Sequence, residues 1–191
     1  MSTDGSSSPD RRTGPRGAPP VRGARPGTGR GVSQQSGDGR LHTDRSYPLA
    51  ERPQDAWDSL ADVGAYRRWW PWLRRFDARR LAPGERWEAR IRVPMPWSLR
   101  FTLDIDHVEA PRQVDATLAG DIEGTATITL ASAPGGAEIR LRSDLAPRHH
   151  LLRGVNRVVP GVSRRLHDRV VDRAFRQFAE RDRAEIGPGG R

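Results

Sequence analysis

The chain has no cysteine and no lysine; every one of its 33 Lys+Arg positions is arginine. The first absence excludes disulfides and thiolate chemistry and fits a reducing compartment. The second, beside heavy use of Arg, Ala, Gly and Pro, has the look of a high-GC bacterial proteome. Long apolar runs are missing too. None approaches the roughly 20 residues of a membrane span. The opening MSTDGSSSPDRRTGPRG lacks the apolar core of a secretory signal. The expectation is a soluble, cytoplasmic protein. Catalytic signatures are equally scarce: there is no GxSxG, no P-loop and no GxGxxG behind a strand. A zinc site needs three or four converging ligands. The chain has no HExxH, and the adjacent His149 and His150 point to different sides of a helix. No metal and no cofactor are expected.

What is present in excess is positive charge, a formal +9. Nearly half of it lies in residues 1–40, which hold seven Arg against three Asp. The rest alternates closely with acids, as an ordinary solvated surface does. That distribution argues against nucleic-acid binding. Residues 1–40 are Gly, Pro, Ser and Arg and bury too little apolar surface to offset their ordering entropy. They read as a disordered basic tail, residues 187–191 as a flexible tail, and 41–186 as one folded domain.

Within that domain the hydrophobic period changes twice. LHTDRSYPL (41–49) reads as a first strand. Pro53 then suits the first turn of a helix, and Ala56, Trp57, Leu60 and Ala61 recur at helical spacing up to Gly64. A second short helix runs from about Ala65 into YRRWWPWL (66–73), where Pro71 stops it. The period then becomes two. Trp87, Ala89, Ile91 and Val93 alternate with charges, as do Leu99, Phe101, Leu103 and Ile105. Val114, Ala116, Leu118, Ile122, Ala126, Ile128, Leu130, Ile139 and Leu141 continue the pattern. Turns at 94–96, 110–111, 119–121 and 134–136 separate the runs, so this is an antiparallel meander with one wet and one apolar face. After Pro160-Gly161 the period returns to 3.6. Val162, Leu166, Val170, Ala174 and Phe178 step by four, widened by Val171 and Phe175, for roughly twenty residues. The mixed-charge polar side assigns this stripe to the sheet rather than to a membrane surface.

PQDAWDSLADVGAYRRWWPWL, LAPGERWEARI and GDIEGTATITL followed by GGAEIRL carry a family resemblance. Over about residues 41–183 the chain resembles the SRPBCC superfamily, which includes START-like lipid-binding domains and polyketide cyclase/dehydrase-like proteins. The resemblance implies an α+β helix-grip fold: a curved antiparallel sheet around a long C-terminal helix, with two short helices after the first strand. Those helices would cross the mouth between sheet and helix, and the proline-broken Trp cluster would cap one end of a cavity or plug the core there.

The inward positions of the strands are uncharged, which suits an apolar ligand by desolvation. The partner expected from the resemblance is a hydrophobic small molecule, such as a lipid, isoprenoid or polyketide. Its expected lining is Trp70, Trp72, Trp87, Ala89, Ile91, Phe101, Leu103, Ala116, Leu118, Ala126 and Ile128, closed from the helix by Val171 and Phe175. Small residues, with Gly124 among them, would leave room. The alternative is a cyclase or aromatase in the same cavity. Its polar candidates are Tyr66, Arg142, His150 and Asn156, none at a spacing that compels the role.

Overall fold

The computed structural model describes residues 29–36, 39–93, 98–148 and 162–185. Its strands are β1 (Arg30–Gln35), β2 (Leu41–Leu49), β3 (Leu73–Asp77), β4 (Arg86–Arg92), β5 (Ser98–Glu109), β6 (Gln113–Gly120), β7 (Ile122–Ala133) and β8 (Gly136–Pro147). They form one antiparallel sheet in the order β1-β2-β8-β7-β6-β5-β4-β3. Helix α1 (Pro53–Ala61), a 3-10 turn (Val63–Ala65) and α2 (Tyr66–Trp69) join β2 to β3. The long α3 (Val162–Glu185) closes the fold.

The alternation sets the inner face. In β4, Trp87, Ala89 and Ile91 are buried between exposed Arg86, Glu88, Arg90 and Arg92. Cross-strand partners keep that face: Trp87 lies opposite Leu103, Leu103 opposite Leu118, Ala116 opposite Ala126, and Ile128 opposite Leu141. Gly124 serves the backbone rather than leaving side-chain room. Its φ is +137°, and a Cβ there would run into the carbonyl of Asp144 on β8.

Two elements depart from the sequence expectation. β1 lies inside the stretch 1–40 that composition marks as disordered, so the short helices follow the second strand rather than the first. The pairing of β1 with β2 is a main-chain ladder, and its one large apolar residue, Val32, is 60% exposed. A strand held this way leaves no hydrophobic signal. β3 is likewise invisible to a period-two count, because a bulge between Leu73 and Arg75 breaks the alternation. Residues 1–28 and the 187–191 tail lie outside the described residues.

The core is sealed where α3 meets the sheet and the short helices. Tyr47, Ile139 and Phe178 are its most completely buried large side chains. Beyond them the buried Arg181 grips Glu51 through two contacts of 2.6 Å, donates to the Phe178 carbonyl, and stacks 3.8 Å over the Phe178 ring. Breaking such a pair strands a charge in the interior, at a cost of about 3–5 kcal/mol.

Candidate functional site

The aromatic cluster and the cavity sit at different stations along α3. Tyr66 is the hub of the cluster, with ring centroids 4.8 Å from Trp70, 5.3 Å from Phe76, 5.8 Å from Trp69 and 6.1 Å from Trp87. Its hydroxyl donates to the Leu60 carbonyl at 2.5 Å, and burial raises its pKa. Tyr66 therefore ties α2 to α1. Trp69 and Trp70 pack on Phe178, at 5.7 and 6.5 Å. Trp70 Nε1 donates to the Ala174 carbonyl at 3.0 Å, and Trp72 Nε1 to Gln177 Oε1 at 2.9 Å. The break at Pro71 thus lets consecutive tryptophans stitch the mouth segment to one helix. The proline cluster is first of all a clasp.

Nearer the start of α3 lies an apolar cavity of about 100 Å³. Ile91, Val93 and Leu99 line one wall, Leu41, Ile122 and Leu145 another, and Leu166, His167 and Val170 the helix side. Of the lining expected from sequence, Ile91 is here. Ala89, Ala116, Leu118 and Trp87 are buried on the inner face; Phe101, Leu103, Ala126 and Ile128 are only half-buried on that face. Val171 is buried on α3, and Phe175 stacks on Tyr47 with centroids 4.4 Å apart. Arg142 is on the outer face, exposed and 3.3 Å from Asp44. It cannot reach the interior, because its neighbours Leu141 and Ser143 take the inward positions of β8. His150 and Asn156 lie outside the described residues.

A polar wall adjoins this cavity, and the sequence reading missed it. Thr43, Arg45 and Tyr47 point inward from β2, and Ser143 lies beside Thr43 on β8. Facing them on α3, His167 Nε2 is 3.0 Å from Thr43 Oγ1. Arg45 reaches Asp168 at 3.5 Å and Asp172 at 3.2 Å. Tyr47 donates to Asp172 Oδ1 at 2.8 Å; burial and then that carboxylate raise its pKa. Burial pushes the His167 imidazole below the usual histidine range, with Asp168 opposing. Burial thus favours its neutral form. Ser143 Oγ and Arg45 Nε are buried with no hydrogen-bond partner, so the wall retains unmet polar capacity. The signal was present. His167 stands four residues before Val171 on the inward stripe, and Thr43, Arg45 and Tyr47 share the period-two face of one strand. No group of three or more His, Cys, Asp or Glu side chains among the described residues converges as a metal site. No described helix is long and apolar enough to cross a membrane.

An open eight-stranded antiparallel sheet with a long C-terminal helix and few short helices is the helix-grip α+β architecture. The family model for polyketide cyclase / dehydrase and lipid transport matches residues 40–185, and the chain belongs to that family, within the SRPBCC superfamily. Among solved structures it is similar to TTHA0849 from Thermus thermophilus, with TM-score 0.62, 13% identity, and 78% of this chain and 99% of that one covered. The Zhui aromatase/cyclase from a Streptomyces species gives TM-score 0.58 at 14% identity, covering 78% and 99%. Ara h 8.0201 gives 0.56 at 14%, covering 76% and 99%. At these identities the likeness is one of fold. A search of curated proteins finds no match.

Proposed function

We propose that the protein binds a hydrophobic small molecule between the sheet and α3. The observation that carries this reading is the apolar cavity with one polar wall. Volume narrows the ligand. About 100 Å³ is less than the roughly 150 Å³ that accepts a benzene ring. That space admits a short stretch of a flexible hydrocarbon chain but not a fused-ring system, so the rest of any longer ligand would lie outside it.

The test is native mass spectrometry of the purified protein with collisional release of bound molecules. A discrete hydrophobic adduct is expected in the wild type. Ile122→Trp, which fills the cavity from the β7 wall, should lose it while remaining folded. An adduct retained by folded Ile122→Trp would place the ligand elsewhere.

A second reading is a cyclase or aromatase-type enzyme in the same cavity. The pairing of His167 with Thr43 on the cavity wall favours it, because it puts an imidazole within hydrogen-bond reach of a hydroxyl beside the cavity. Turnover of an aromatic-polyketide substrate that disappears in His167→Ala would select this reading. Turnover unchanged in that variant would leave His167 a structural partner of Thr43.

A further inference from the structure

A groove of about 440 Å³ opens beside the cavity and shares Val93 and Val170 with it. Four arginines line it: Arg74 from β3, Arg92 from the end of β4, and Arg169 and Arg173 one turn apart on α3. Each is placed by its element. Arg74 is the residue the β3 bulge leaves without a partner on β4. The Arg92 N–H donates to the Trp72 carbonyl at 2.8 Å, holding that strand end beside the clasp. The 169/173 pair follows from the helical repeat.

All four are exposed, and none has an ion pair among the described residues. No acidic side chain lines the groove. Several surface arginines elsewhere are matched, Arg86 with Asp104, Arg140 with Asp44 and Arg148 with Glu123; here four unmatched ones line a single groove that adjoins the cavity. Like charges gathered without counter-charge repel one another and destabilise the fold. Arginine forks are also the side chains best shaped to hold a phosphate oxygen pair.

Building on the ligand-binding reading above, we infer that the ligand is an amphiphile whose phosphate-type head, a monoester or diphosphate, sits among Arg74, Arg92, Arg169 and Arg173. Its hydrocarbon chain enters the cavity past Val93 and Val170. The groove supplies the volume the cavity lacks, and the head group supplies the missing negative charge.

Calorimetric titration of the full chain with dodecyl phosphate and with dodecanol, both below micelle formation, separates the two parts. Each charge-assisted hydrogen bond to the head is worth about tenfold or more in affinity. Dodecyl phosphate should therefore bind at least tenfold tighter than dodecanol. Arg169→Gln/Arg173→Gln should erase that preference and leave dodecanol binding unchanged; Arg74→Gln/Arg92→Gln provides an independent pair should the helix variant fold poorly. Equal affinity of the two probes for the wild type would overturn the head-group assignment and spare the cavity. A preference surviving both double variants would overturn the placement in this groove. Failure of both alkyl probes, with inorganic pyrophosphate still bound in an arginine-dependent way, would overturn the cavity reading and with it the amphiphile.

Discussion

His167 shows how one residue's setting makes a measurable property. In the unfolded chain its imidazole titrates near 6.5. In the fold, burial against Thr43 and Arg45 disfavours the charged form, and the nearby Asp168 offsets this only in part. Between the folded and unfolded pKa values the unfolded chain therefore holds more protons. Stability contributed by the neutral imidazole is complete above about pH 6.5 and falls as pH drops below it. Urea unfolding at pH 7.5 and pH 5 should show a larger acid loss in the wild type than in His167→Gln. The carboxylates that also destabilise the fold in acid are common to both proteins and cancel in the comparison. Equal losses would mean that the folded protein protonates His167 as readily as the unfolded chain does.

Among the elements, the outer face of β3, β4 and β5 holds a row without compensation. Arg75 lies opposite Arg90, and Arg90 opposite Arg100, and none has an ion pair among the described residues. Directly opposed like charges destabilise a sheet, and opposed unlike charges stabilise it by about 0.2–1 kcal/mol per pair. Arg90→Glu should raise stability in denaturant unfolding by an amount of that order, and high salt should shrink the gain; a loss would show that the arginines are held apart. Elements of this kind also mark where sequence reading works. α1, α2, the strands from β4 to β8 and α3 each carry a clean period, because each buries one face against the same core. The fold and the apolar inner face were legible for that reason. The polar wall was not, because Thr43, Arg45, His167 and Asp168 become partners only when β2 and α3 are brought together. Arg142 shows the converse: a polar residue near the right strand, turned outward by one step of register.

For the molecule as a whole, the question is where the folded unit starts, and β1 decides it. Composition places the boundary at residue 40, while the structure pairs Arg30–Gln35 with β2, from Arg30 opposite Ser46 to Gln35 opposite Leu41. β2 is the strand whose inward side chains reach α3, and Gly29 lies against the Tyr47 ring so closely that a Cβ there would collide with it. Without β1, β2 becomes an edge of unpaired N–H and C=O groups, open to water and to other chains. The Tyr47–Asp172 and Arg45–Asp168 contacts would lose their cover on that side. A chain starting at residue 29, which keeps β1, provides the reference melting temperature. Removing residues 1–35 should lower it, by about 2–4 °C for each kcal/mol lost in a chain of this size, and light scattering should show association through the exposed strand. The same truncation should weaken retention of any bound hydrophobic molecule, because the polar wall it uncovers adjoins the cavity. If the two truncated chains melt together and stay monodisperse, β1 contributes nothing to the unit, and the boundary belongs where composition put it.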